Sequence, residues 1–201
     1  MTVATDDLRS VKDHRRMTLK EYLTYDDGTA ARYELEDGVL VEMGAESRNN
    51  IKIALFLIQF FLKLVDYDRL GIKEKIEVRS HYATARDPDL IIHSAESATA
   101  IEGRTESCLL LGEPNPLIVI EVVSPGTESK PNYKRDYEQK PIEYADRGIP
   151  ELWQVDAIRE WVKVGTLTAG QYQFTTFKGT EVILSPTFPD LNLTAAQLLN
   201  A

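Results

Sequence analysis

Cysteine is nearly absent: the 201 residues hold one, Cys108. A lone thiol cannot close an internal disulfide or build a cysteine-based zinc cluster, and it fits a reducing compartment. Set in the apolar run Cys108-Leu109-Leu110-Leu111, it reads as a buried structural thiol. Histidine is scarce too, and His14, His81 and His93 show no ligand spacing with one another. No apolar run has membrane-spanning length. The greasiest stretch, Ile51 to Val65, is broken by Lys52, Gln59 and Lys63 and falls short of the roughly 20 residues a span needs. Met1 to Arg16 is polar and charged, without the apolar segment of a secretory signal. These absences make a soluble, cytoplasmic protein the expectation. Positive charge is in deficit as well: 23 Lys and Arg face 32 Asp and Glu, a net charge of −9. Proteins that hold nucleic acid by bulk electrostatics are usually basic. Composition therefore leans away from such a partner unless the carboxylates are gathered around a cation.

What is present is enough apolar material, 43% of the chain, to bury a substantial core, and the length suits one domain. Residues 1–17 read as a flexible leader and residues 18–201 as a single domain. Thr18-Leu19-Lys20-Glu21 has capping-box spacing, which predicts a short helix from Leu19 to about Tyr25. Asp37-Gly38 lies between two alternating segments within Arg32 to Met43, the pattern of a β-hairpin. Alternation puts Tyr33 and Leu35 on one face of the first strand and Glu34 and Glu36 on the other. A helix apolar nearly all round is expected from Asn49 to Asp66, packed on more than one side, then a half-exposed strand from Ile72 to Arg79.

Pro88 to His93 and Pro116 to Val123 are short β-branched runs, read as central strands buried on both faces. A helix from about Tyr137 to Arg147, ended by Gly148, precedes another buried strand, Pro150 to Asp156. Trp161 to Leu167, Gln171 to Phe177 and Glu181 to Leu184 read as a β-meander, and Thr194 caps a last helix, Ala195 to Leu199. The fold class is therefore α/β, a mixed α+β sheet with helices against it. Trp153 and Trp161 are expected in the core, and Asp156 is expected to turn the chain.

Two acidic residues stand out by their setting. Asp89 opens Leu90-Ile91-Ile92, and Glu121 sits between Leu117-Ile118-Val119-Ile120 and Val122-Val123. A carboxylate in an apolar strand must be paired, hydrogen-bonded or coordinated, since burying it alone costs several kcal/mol. Each could equally be an ion-pair partner or a strand-end residue in water. Two strands delivering one carboxylate each would suit magnesium, which takes a few carboxylates and keeps several waters. Such a site activates water and stabilises charge on a phosphate, and a nearby lysine would complete it.

Pro88-Asp89, then Glu121-Val122-Val123-Ser124-Pro125, then Lys140-xxx-Tyr144-Ala145-xx-Gly148-xx-Glu151-Leu152-Trp153-x-Val155-Asp156 resemble the Uma family. This is a bacterial group of restriction-endonuclease-like proteins (domain of unknown function 820) in the PD-(D/E)XK superfamily. Tyr33-Glu34-Leu35-x-Asp37-Gly38 resembles its opening motif and Ser185-Pro186-x-Phe188-Pro189-x-Leu191 its closing segment. The likeness spans roughly Thr18 to Leu199. It implies a restriction-endonuclease-like core carrying the N-terminal hairpin and the C-terminal meander. It further implies a magnesium site on Asp89 and Glu121, with manganese as a substitute and the Val122 carbonyl as an additional ligand. Many superfamily members place a lysine two residues after the glutamate; Val123 stands there. In this family the lysine comes from the following helix, at Lys140, and Glu34 approaches from the hairpin.

Glu34, Asp89, Glu121 and Lys140 are thus the candidate catalytic residues, Asp89 and Glu121 the metal ligands. Alternatives remain: Glu34 as a solvated hairpin residue, and Lys134 in place of Lys140, which precedes Pro141. The implied function is magnesium-dependent endonucleolytic hydrolysis of DNA, and the apolar surface of the long helix and the meander makes a homodimer the expected assembly. The rivals are a non-catalytic interaction module that kept the fold, favoured by the acidic balance, and a metal-dependent phosphohydrolase of a small substrate.

Overall fold

Asp37 and Gly38 both adopt positive φ, 47° and 82°, the backbone of a tight hairpin turn whose twist matches its flanking strands. They join β1 (Arg32–Glu36) to β2 (Val39–Met43), paired antiparallel with Leu35 opposite Leu40. The computed structural model describes residues 15–123 and 126–201. The expected leader up to residue 14, His14 included, and Ser124-Pro125 lie outside the described residues. Of the leader's last residues, Arg16 reaches the Asp37 side chain at 2.5 Å and the Met17 N–H donates to the Gly38 carbonyl at 2.7 Å.

The capping box at Thr18 forms in both directions and opens α1 (Leu19–Leu23). Its Tyr22 packs with Leu35 and Ala85 in a small core of the hairpin's own. The long helix, α2 (Arg48–Phe61), is shorter than expected, and only one of its faces is covered. Ile53, Leu57 and Phe61 are fully buried, whereas Ile51, Leu55 and Leu62 are exposed.

Unread in the sequence were β3 (Leu70–Gly71), β5 (Thr84–Arg86), α3 (Ala95–Ile101), β7 (Cys108–Leu109) and the helix Pro131–Lys134. β3 and β5 flank β4 (Lys75–Val78), and α3 and β7 lie between β6 (Leu90–Ile92) and β8 (Ile118–Val122). The second half holds α4 (Pro131–Lys134), a π-helical turn (Arg135–Gln139), α5 (Lys140–Arg147), β9 (Glu151–Asp156), β10 (Trp161–Thr168), β11 (Gln171–Phe177) and α6 (Ala195–Leu199). The expected third meander strand, Glu181 to Leu184, is an isolated bridge between Val182 and Thr194.

The strands form two mixed sheets instead of one. The smaller runs β2-β1-β5-β4-β7, the larger β11-β10-β9-β8-β6-β3. One face of the larger sheet, with Leu90, Ile92, Ile118, Ile120, Trp153 and Val155, packs on α2 and α6. The other, with Ile91, Val119 and Leu152, packs on Tyr144 and Ile149 and on Ile76 and Val78 of the smaller sheet. Ser185, from the closing segment, donates to the buried Glu151 carboxylate at 3.1 Å and ties the C-terminal loop to β9. The fold is a mixed α/β architecture.

Candidate active site

The register between β6 and β8 is antiparallel with Leu90 opposite Ile120, which sets Asp89 opposite Glu121. Directly opposed residues project from the same face of a sheet. Both follow the alternation of Ile91 and Val119, so both belong to the face turned toward α5 and the smaller sheet. The Asp89 carboxylate accepts the Val122 N–H at 2.7 Å, and the Val122 carbonyl lies 3.5 Å from Asn50 Nδ2.

Glu121 is buried, and both of its oxygens are engaged. Oε2 lies 2.7 Å from Lys140 Nζ, and Oε1 accepts the Tyr144 hydroxyl at 2.7 Å. Lys140 and Tyr144 stand four apart on α5, hence on one helical face. The turn before them explains how Lys140 points inward. A proline removes its own N–H and crowds the carbonyl four residues back, here that of Tyr137. The helix widens there into a π turn, in which the Lys140 N–H donates to the Arg135 carbonyl; such bulges recur at functional sites.

Lys140 Nζ also lies 3.3 Å from Glu34 Oε1 and 3.7 Å from Asp136 Oδ1. Glu34 is fully buried, so the solvated-hairpin alternative does not hold. Its other oxygen meets Arg86 Nη1 at 3.3 Å and Arg135 Nε at 3.8 Å, and the Asp87 N–H donates to its Oε1. Arg86 in turn holds Glu143 of α5 through two bonds of 2.7 Å. Lys134, the alternative to Lys140, is exposed and lines a groove with Glu36, Ser129 and Arg135.

Three of the four candidate residues, Glu34, Glu121 and Lys140, thus meet in one network, and Asp89 stands opposite Glu121 at its edge. The sequence reading missed Arg86, Arg135, Asp136 and Tyr144. Tyr144 was traceable, one helical turn beyond Lys140 on the same face. Arg86 carried no signal, since nothing marked its short strand. The two tryptophans part ways: Trp153 is in the core, but Trp161 lies half-exposed. Asp156 turns the chain as expected, its Oδ1 accepting the Ile158 and Arg159 N–H groups.

Electrostatics divides the carboxylates. Burial alone would raise the Glu34 pKa, but Lys140, Arg86 and Arg135 outweigh it and hold it at about 2. Burial pushes Asp89 up to about 8, and the facing Glu121 charge adds to the effect, against the Val122 N–H. Glu121 is raised to about 6, burial outweighing Lys140. A pair of hard oxygen donors that repel each other in a desolvated site fits a divalent cation, which would relieve both penalties. Among the described residues no group of three or more His, Cys, Asp or Glu is arranged to hold a metal ion. An ion here would therefore rest on two carboxylates and complete its shell with water or substrate oxygens.

No helix among the described residues is long and apolar enough to cross a membrane. The sequence has no match among curated proteins. The structure is similar to that of "a putative nuclease belonging to DUF820" from Anabaena variabilis ATCC 29413, with a TM-score of 0.70 at 16% identity. The alignment covers 92% of this chain and 98% of that one, and at this identity it establishes the fold. The family model "Uma2: Putative restriction endonuclease" matches residues 19–196. The chain with the opposed Asp89 and Glu121 belongs to the Uma2 family of restriction-endonuclease-like proteins.

Proposed function

We propose that this protein is a magnesium-dependent endonuclease that hydrolyses phosphodiester bonds in DNA. The observation that carries the reading is the meeting of Glu121, Lys140 and Glu34, with Asp89 opposed to Glu121 on the same sheet face. Asp89 and Glu121 would hold the ion, with manganese as a substitute. The chemistry a divalent cation supplies in such a site is activation of water and neutralisation of charge on the phosphate.

The protein's own residues do the rest. Lys140 carries a fixed positive charge beside Glu121 and stabilises charge developing on the phosphate. Tyr144 fixes the Glu121 carboxylate. Glu34, kept ionised by Arg86, Arg135 and Lys140, holds the lysine from the hairpin side. The partly exposed Asp89 marks the side from which a phosphodiester enters. The assembly is a homodimer in the cytoplasm, its contact provided by the exposed Ile51 and Leu55 of α2 and Leu62 at its C-cap. Residues 18–201 act as one domain.

A second reading has one observation in its favour: Glu121 and Lys140 are almost wholly enclosed, with both Glu121 oxygens bonded inside the protein. That would suit an interaction module which kept the fold without turnover. Incubation with supercoiled plasmid and with labelled single-stranded, duplex and RNA substrates, in magnesium, manganese or chelator, separates the two. The nuclease reading expects metal-dependent nicking that Asp89→Asn abolishes. Stabilisation by magnesium with no cleavage of any substrate would assign the protein to the interaction class.

A further inference from the structure

We propose that Arg159, Lys163 and Lys178, laid over Tyr133, Tyr137 and Trp161, form a binding surface for the phosphodiester backbone of a nucleic-acid strand leading to the carboxylate site. The identity of this partner rests on the nuclease reading above.

Strand register places the surface. Glu121 pairs with Gln154, Gln154 with Lys163, and Lys163 with Thr176. These residues form one row across β8, β9, β10 and β11, on the face that carries Asp89. At about 4.8 Å between neighbouring strands, Lys163 stands roughly 10 Å along the sheet from Glu121. Asp156 and Trp161 pair in the adjacent row on the same face. The pairing of Val162 with Phe177 puts Lys178 beside Trp161. Tyr133 and Tyr137 come from α4 and the π turn, so the segment that delivers Lys140 inward delivers Tyr137 outward to this patch.

The rings hold the cations without neutralising them. Lys163 Nζ lies 4.4 Å from the Trp161 ring centre and 5.2 Å from that of Tyr137. The Arg159 guanidinium lies 4.9 Å from Tyr133 and 5.7 Å from Tyr137, and Lys178 Nζ lies 5.4 Å from Trp161. A cation over an aromatic face is positioned by the ring quadrupole and keeps its full charge. Asp156 pairs with Arg159 at 2.7 Å and accepts the Tyr137 hydroxyl. Among the described residues neither Lys163 nor Lys178 forms an ion pair. Partial burial and the Arg159 charge hold the Lys163 pKa below its usual value. An anion at this point relieves that repulsion.

In a chain of net charge −9, two lysines without an ion-pair partner among the described residues, beside the Asp156-paired Arg159 on the site's own sheet face, are a local reversal of sign. Their partner is a polyanion long enough to span from Lys178 to Glu121. A phosphodiester backbone has that reach and carries the bond the site is proposed to cleave.

The test uses the full chain and fluorescence anisotropy with a labelled single-stranded and a duplex DNA 30-mer, in chelator so that no cleavage occurs. Lys163→Gln with Lys178→Gln should weaken binding at least tenfold. It should flatten the dependence of log K on log salt by about 1.4 for the single strand or 1.8 for the duplex, as the loss of two phosphate contacts requires. The strand form with the larger loss identifies the source of the backbone. Lys178→Glu alone, at an exposed position, should act in the same direction with an unchanged melt. Lys52→Gln with Lys63→Gln, exposed on α2 and in the turn after it, behind the sheet, should change little. Equal affinity and slope in wild type and double variant would overturn the proposal, as would absence of DNA binding by wild type. Binding of polyglutamate without DNA binding would overturn it in favour of an acidic protein partner. Cleavage assayed separately at saturating DNA in magnesium keeps the two ideas apart. Patch-dependent binding without cleavage fails the nuclease reading alone, and cleavage together with binding that is indifferent to the patch fails this one alone.

Discussion

Lys140 Nζ stands 2.7 Å from Glu121 Oε2, although 19 residues separate them in the chain. The same ammonium lies 3.3 Å from Glu34 on the hairpin, so one lysine links the smaller sheet, α5 and the larger sheet. Replacing it with methionine leaves Glu34, Glu121 and Asp136 buried without their shared cation. Lys140→Met should cost about 3–5 kcal/mol at pH 7. The loss should shrink at pH 5, because Glu121, without its cation, would then be protonated in the folded state. Denaturant titrations at both pH values measure this; a loss below about 1 kcal/mol at pH 7 would mean the lysine is not the organising charge.

Asp89 and Glu121 carry a pH signature. Their folded pKa values, about 8 and about 6, lie above their ordinary ones. Between those limits the folded state binds more protons than the unfolded one, so stability falls as pH rises. In chelator the melting temperature should drop between pH 5 and pH 8, and Asp89→Asn should flatten that slope. Magnesium should raise the wild-type melt at pH 8 and leave the variant unmoved. If Asp89→Asn melts far lower at every pH and magnesium does nothing to wild type, Asp89 is a structural partner and there is no metal site.

Glu34 gives the opposite sign. Held at about 2 by its cations, it contributes stability above pH 4.5 that is lost as pH falls toward 2. Glu34→Gln should therefore remove part of the acid destabilisation seen between pH 4.5 and pH 2 in thermal melts. An acid limb that is unchanged in the variant would show that other carboxylates carry it.

Tyr144 donates to Glu121 Oε1 at 2.7 Å. Tyr144→Phe removes that hydrogen bond from a charged acceptor and should cost about 1.5–3 kcal/mol. The Glu121 carboxylate, missing a donor to its charged form, should titrate higher. Carbon-detected NMR of the glutamate carboxyls, in wild type and variant, reads this shift; no upward movement would show that the hydroxyl bond does not support the charge.

The exposed Ile51 and Leu55 of α2 and Leu62 at its C-cap, with Ile58 half-buried between them, recur at helical spacing and form an apolar stripe. If the stripe is the dimer contact, Leu55→Glu should convert dimer to monomer in light scattering at tens of micromolar, an order-of-magnitude concentration for a useful dimer. A wild type that is strictly monomeric there would remove the homodimer from the proposal.

Local chemistry made much of this molecule readable. The Asp37-Gly38 turn, the capping boxes at Thr18 and Thr194, and the stop at Gly148 each depend on a few adjacent residues. So does the alternation that isolates Asp89 and Glu121 in apolar strands. Residue order could therefore name the two carboxylates and the helix that brings Lys140. It could not show β3, β5 and β7, which are two or three residues long: so short a strand exists through its neighbour's hydrogen bonds, not its own pattern. Nor could it show that Arg86 is buried between Glu34 and Glu143, or that a π turn just before Pro141 aims Lys140 inward. It gave no sign that Trp161 leaves the core to hold two lysines. Sequence determined the local elements and the charges they carry. Only the tertiary structure decided which charges meet, because a buried ion pair is fixed by the geometry of three or four separate elements, and no periodicity within one of them encodes it.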